Sequence, residues 1–167
     1  MQACFIGHRS IEENEQLIST LKSTIITLIH KGVNIFLFGS KSDFDKLAWK
    51  VVTQLKSVFP FIKRVYVRSS YQFIDQFYKK YLLESYEETY FPQKIKNAGK
   101  ASYVERNFAM IDCSLYCVFY YDEKYKPIAT RKSKRNIFLP TKQISGTKIA
   151  YEYAVKKKKK IINVFNC

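Results

Sequence analysis

An open α/β sandwich, with a mostly parallel sheet of five strands and helices on both faces, is the fold class that three features of the sequence predict. Five short apolar runs, at residues 3–6, 33–38, 62–67, 115–120 and 161–165, are mostly unbroken rather than alternating, as strands buried on both faces are. Between them, apolar residues recur at three- and four-residue spacing, the signature of a helix with one buried face. Ser-x-x-acid boxes stand before three of these stretches, where a helix start is expected. Strand and helix thus alternate from end to end, which is the pattern of a parallel sheet linked by helical crossovers.

The first strand runs straight into Gly7-His8-Arg9. Ser10-x-x-Glu13 then reads as a capping box for a helix with the stripe Leu17, Leu21, Ile25 and Leu28, and Gly32 as its stop. After the second strand, Ser42-x-x-Asp45 precedes the stripe Phe44, Leu47, Ala48, Val51, Val52 and Leu55. The stretch 69–100, rich in aromatic and acidic residues, is expected to form a helix and an irregular crossover. Val104, Phe108 and Ile111 mark the next helix, with Ser102-x-x-Glu105 as its box. Residues 122–144 form a long basic loop containing Arg131-Lys132-Ser133-Lys134-Arg135; loops of this length serve as lids or binding loops, or are solvated slack. A last helix over 146–157 leads into the final strand.

At 167 residues the chain has length for one well-buried core and is read as a single domain over 1–167. With 47% apolar and 26% charged residues the composition is that of a folded globular protein. No apolar run approaches the roughly 18 residues of a membrane span, and the N-terminus lacks the pattern of a signal peptide, so a cytoplasmic protein with no membrane partner is expected. Cys4, Cys113, Cys117 and Cys167 are scattered, and Cys113-x-x-x-Cys117 has no second Cys/His pair at zinc spacing. Buried free thiols are expected, and neither a metal nor a cofactor. The net charge of +15 would draw phosphates, nucleic acid or anionic surfaces at low salt, but a Lys-rich composition spread over a solvated surface is the favoured account of it.

In parallel α/β sheets ligands sit at the carboxyl ends of the strands, where the strand order reverses. The segments leaving strands one, two and four are therefore the places to search: Gly7-His8-Arg9, the stretch from Gly39, Ser40 and Lys41 to Asp45, and Tyr121-Asp122-Glu123. Gly7 and Gly39 would give a ligand room, or simply serve tight turns. Asp45 would bind a ribose hydroxyl or close the box with Ser42. Ser145-Gly146-Thr147, just before the last helix, offers unpaired N–H groups to an anion, with Ser145 as an ordinary N-cap the alternative. Arg106 and Asn107 lie beside the core stripe of their helix, where an arginine either snorkels or takes a phosphate in a bidentate grip. His8 has no Cys, Asp or Ser partner at triad-like or metal-like spacing. Lys156 to Lys160 ends a helix and suits its dipole.

Taken together, these stretches resemble the SLOG superfamily, Rossmann-like domains that include the phosphoribohydrolases of the Lonely Guy type, the DNA-processing protein DprA and, most of all, the YpsA-like branch. The likeness covers nearly the whole chain: C-F-I-G-H-R at 4–9, F-G-x-x-x-x-F-D at 38–45, G-K-A-S-Y-V-E-R-N-F-A-M-I-D at 99–112, F-Y-Y-D-E at 119–123 and S-G-T-K-I-A-Y-E-Y-A at 145–154. The resemblance implies a nucleotide-type ligand, with Gly39 and Ser145-Gly146-Thr147 around its phosphates. Arg106 and Met110 match the R-x-x-x-M helix of the phosphoribohydrolases, whose arginine serves the phosphoribosyl site. Two departures stand out. The glutamate of the P-G-G-x-G-T-x-x-E pattern falls at Ala150, and Glu152 lies about 200° further round the helix. Ser40-Lys41-Ser42-Asp43 also replaces a loop richer in glycine and alanine.

The function expected on this basis is binding of a nucleotide or of an NAD-, ADP-ribose- or cyclic ADP-ribose-derived second messenger, by a sensor or a sequestering protein with no catalytic residue assigned. A chain of this length leaves no room for an output domain, so it is expected to report to a partner, to sequester its ligand or to function as an oligomer, with a homodimer or higher homo-oligomer expected. The alternatives are N-glycosidic hydrolysis of a nucleoside monophosphate and DprA-like binding of single-stranded nucleic acid, for which interleaved Tyr and Lys would supply stacking platforms.

Overall fold

The computed structural model describes residues 1–126 and 144–165. The basic run Arg131-Lys132-Ser133-Lys134-Arg135 and Cys167 lie outside the described residues. The elements follow one another as β1 (Gln2–Gly7), α1 (Glu15–His30), β2 (Ile35–Phe38), α2 (Asp43–Leu55), β3 (Lys63–Val67), α3 (Gln76–Leu83), β4 (Glu88–Tyr90), α4 (Lys100–Cys113), β5 (Tyr116–Tyr120), α5 (Gly146–Lys156) and β6 (Lys160–Asn163).

Every strand pairs in parallel, in the order β4-β3-β2-β1-β5-β6. The arrangement is α/β and Rossmann-like, with six strands where the apolar runs predict five. The additional strand is β4, a three-residue edge strand within the stretch read as an irregular crossover. Its Glu-Thr-Tyr sequence has no apolar run to betray it. Long-range contacts hold it instead. Glu87 accepts hydrogen bonds from the backbone N–H and the guanidinium of Arg64, each at 2.6 Å, and Trp49 Nε1 donates to the Ser85 carbonyl at 3.0 Å.

Alternation along β1 divides the core into two layers. Ala3 and Phe5 point to the side that α1 and α2 cover with Leu21, Ile25, Phe44 and Val52. Cys4 and Ile6 point to the other, covered by Met110 and Ile111 of α4 and by Ala150 and Ala154 of α5. Both layers are apolar, which is why the inner strands read as continuous apolar runs. Cys4 and Cys117 are buried free thiols, whereas Cys113 is an exposed one. Among the described residues no helix is long and apolar enough to cross a membrane.

Two of the helix starts differ from the sequence pattern. The N-cap of α1 is Asn14, whose side chain accepts from Leu17 N at 2.8 Å, rather than Ser10. Residues 8–13 are needed to cross the top of the sheet, and Arg9 spends its carbonyl on Asp43 N at 2.8 Å. α4 is capped by Gly99, with φ of 65°, three residues before the Ser102 of the expected box. Ser102 Oγ donates to the Gly99 carbonyl, and Glu105 accepts from the N–H groups of Lys96 and Asn97, tying down the incoming chain. Ser42 caps α2 and Ser145 caps α5, each accepting from the N–H three residues on.

Candidate functional site

The strand order reverses between β1 and β5, so the carboxyl ends of β1, β2 and β5 form the edge where a ligand of this fold class sits. Gly7 and Gly39 end β1 and follow β2. Neither is open to solvent in the simple sense. A Cβ on Gly7 would stand 2.4 Å from the ring of Phe44, so its missing side chain makes room for the start of α2. A Cβ on Gly39 would stand 2.6 Å from Arg106 Cδ and 2.8 Å from Met110 Sδ, so this glycine makes room for α4.

Gly39 is gripped at both ends of its peptide. Its N–H and that of Ser40 donate to Asp45 Oδ2, at 3.3 and 2.7 Å, and its carbonyl accepts from Arg106 Nη1. Asp45 and Arg106, from α2 and α4 on opposite faces of the sheet, thus meet at one residue. Ser40 Oγ in turn donates to Ser42 Oγ at 2.9 Å, which ties the turn to the cap of α2. Both charged side chains are buried. Burial raises the Asp45 carboxyl to about 7, against the opposing pull of Arg106 and of the Ser40 and Gly39 N–H groups. Burial also lowers Arg106, opposed by Asp45 and by Tyr66 and Tyr103.

Two polar capacities remain in this cluster. Asp45 Oδ1 is buried with no hydrogen-bond partner. Of the five N–H groups of a guanidinium, Arg106 uses one on Gly39 and two on Asn107 Oδ1, from Nε at 3.2 Å and Nη2 at 3.1 Å. One N–H on Nη1 and one on Nη2 are left. Tyr103, one turn before Arg106, lays its ring 5.7 Å from the guanidinium. Neither Tyr103 nor Tyr66 was singled out by the sequence reading. The three-residue spacing from Tyr103 to Arg106 marks one helix face, but Tyr66 comes from β3 and carries no local signal.

His8 acts at the reversal point. It is buried; its backbone N–H donates to the Tyr120 carbonyl at 3.3 Å, and its ring Nε2 lies 2.9 Å from Asp122 N and 3.1 Å from Asp122 O, serving one or the other according to tautomer. Tyr125 stacks on the ring at 3.8 Å. Burial lowers its pKa, so the ring is neutral near pH 7. The backbone of His8 thus ties the end of β1 to that of β5, and its imidazole holds Asp122, two residues beyond β5. Arg9 and Lys41 are exposed and Ser145 is half-buried, while Gly146 faces open space and Thr147 is buried. A groove of about 810 Å³ runs between the end of β5, α5 and β6, lined by Tyr121, Tyr151, Lys148, Glu152 and Phe165 among others. No member of the Arg106 cluster lines it. No group of three His, Cys, Asp or Glu among the described residues is placed to hold a metal ion.

No protein-family model matches the chain, and no curated protein matches it significantly.

Proposed function

We propose that this chain binds a phosphate-bearing nucleotide, or a small molecule derived from NAD or ADP-ribose, at the carboxyl edge of the sheet, as a sensor or sequestering protein. The observation that carries the reading is Arg106: a buried guanidinium held by Gly39 and Asn107, with two N–H groups uncommitted, at the edge where ligands of parallel α/β sheets bind. A buried cation with spare donors is suited to phosphate oxygens. Asp45, near half-protonated at neutral pH, cancels only part of that charge. Gly146, open above the N-terminus of α5, supplies a second place for an anion. The resemblance of the 99–112 and 145–154 stretches to the SLOG superfamily supports the same ligand class.

Binding is favoured over N-glycosidic hydrolysis by Ala150, which stands where the phosphoribohydrolases carry glutamate and is packed in the core. Glu152 faces outward, 3.9 Å from Lys148. The test is a thermal-shift series with AMP, NAD, ADP-ribose and cyclic ADP-ribose, beside native mass spectrometry of protein purified from cells. A ligand at a hundred times its dissociation constant adds about 2.7 kcal/mol to stability. A clear upward shift with at least one of them is expected; none from any of the four, and no bound nucleotide, would overturn the reading.

A further inference from the structure

Arg68 follows β3 at the same edge of the sheet. The pairing of Phe38 with Tyr66 sets Gly39 beside Val67, on strands ~4.8 Å apart, with Arg68 one residue further on. The backbone N–H of Arg68 donates to the Tyr90 carbonyl at 2.9 Å, so the ladder to β4 runs on through it. By alternation its side chain leaves on the face of Tyr66 and Arg64, where Arg64 reaches Thr53 of α2. Arg68 is anchored as Arg106 is, on backbone carbonyls: Nη1 donates to Tyr71 at 2.6 Å and to Gln72 at 3.3 Å. Nε is buried with no partner, and Nη2, equally unpartnered, is the end left accessible. In a guanidinium Nε and Nη2 form one edge, the pair of N–H groups that meets two oxygens of one phosphate.

No carboxylate among the described residues forms an ion pair with Arg68 or with Arg106. Asp75, at the start of α3, accepts from Tyr78 N, and Asp45 acts on Arg106 but not on Arg68. Only the phenols of Tyr78 and Tyr66 favour the charged form of Arg68, against the burial that lowers its pKa. Tyr66 is at the same time a neighbour of Arg106, so the two guanidiniums, from β3 and α4, come to one phenol. A partly desolvated cation with no counter-ion and a buried N–H with no acceptor both cost the free protein stability, and an oxyanion removes both costs. A single phosphate on Arg106 leaves Arg68 unmet. A second phosphate, joined to the first through a shared oxygen, reaches the neighbouring strand end.

We propose that Arg68 and Arg106 hold the two phosphates of a diphosphate, so that the site prefers a nucleoside diphosphate, or a dinucleotide joined through one, to a monophosphate. This rests on the nucleotide reading of the Arg106 site and adds a second phosphate to it. Calorimetric titration of the full chain with inorganic phosphate, inorganic pyrophosphate, AMP and ADP tests it, at ~0.15 M salt to screen long-range attraction to a cationic protein. Pyrophosphate should bind at least ~10-fold more tightly than phosphate, and ADP than AMP. Arg68→Gln should abolish both preferences and leave the affinities for phosphate and AMP unchanged, with an unaltered circular dichroism spectrum. Arg68→Lys, which keeps the charge and loses the fork, should restore the preferences only in part. Lys22→Gln, the same loss of charge on an exposed residue of α1, should change nothing. Pyrophosphate bound no more tightly than phosphate, a preference that survives in Arg68→Gln, or one lost equally in Lys22→Gln would overturn the proposal. If phosphate and pyrophosphate follow the expected pattern and neither nucleotide binds, the diphosphate site stands and the nucleotide reading fails. If AMP and ADP bind alike and Arg68→Gln affects neither, the nucleotide reading stands and the proposal fails.

Discussion

Arg106 and Asp45 hold the two ends of one residue, Gly39, and burial there, more than their contacts, sets their electrostatics. An aspartate with a pKa of about 7 in the folded state, against about 4 when unfolded, keeps a proton that the unfolded chain has lost. Its stabilising contribution is therefore full below pH ~4, falls as the pH rises towards 7, and is level above. His8 works in the opposite sense. Its lowered pKa means that the unfolded chain takes up protons first, so stability falls as the pH drops below ~6.5. Asp45→Asn keeps an acceptor for Gly39 and Ser40 while removing the titration. Urea unfolding should show that the variant gains stability relative to wild type on going from pH 5 to pH 8. A constant difference across that range would mean that Asp45 ionises normally. The value of Gly39 is equally local, because only a residue without Cβ lets Arg106 reach its carbonyl.

At the scale of elements, five strands were legible from their apolar runs, which burial on both faces explains for β1, β2 and β5. β4 was not, because an edge strand of three residues rests on Glu87, Arg64 and Trp49, which are distant in sequence. Helix starts were legible where cap and apolar stripe agree, as at Ser42 and Ser145. At α1 the box at Ser10 lies four residues before the true cap, Asn14, which stands three before Leu17, the first buried residue of the helix. Asn14→Ala should therefore cost about 1 kcal/mol in chemical denaturation, and Ser10→Ala less than ~0.5 kcal/mol; the reverse order would move the cap. Of the residues expected around a ligand, the fold joins Gly39, Ser40, Asp45, Arg106 and Asn107, whereas the space over Gly7 is taken by Phe44. Gly7→Ala should lower stability by about 1–3 kcal/mol through overpacking against that buried ring. An unchanged unfolding midpoint would show that α2 shifts freely.

For the molecule as a whole, the sheet order places β1 at the centre and its carboxyl end at the reversal point, so residues from positions 7 to 147 gather along one edge. That gathering was foreseeable from strand alternation and the general rule for parallel sheets; the meeting of Asp45 and Arg106 at Gly39 was not, because spacing in sequence carries no information about which side chains meet over an edge. The two helices bring a carboxyl and a guanidinium from opposite faces, and the guanidinium keeps donors in reserve. The most direct test is calorimetric titration of the wild type and of Arg106→Ala and Arg106→Lys with whichever of AMP, NAD, ADP-ribose and cyclic ADP-ribose shifts the melting temperature. The account predicts binding that weakens at least ~10-fold in Arg106→Ala and is only partly restored by Arg106→Lys, which keeps the charge and loses the planar fork. Equal affinity in wild type and a folded Arg106→Ala would contradict it.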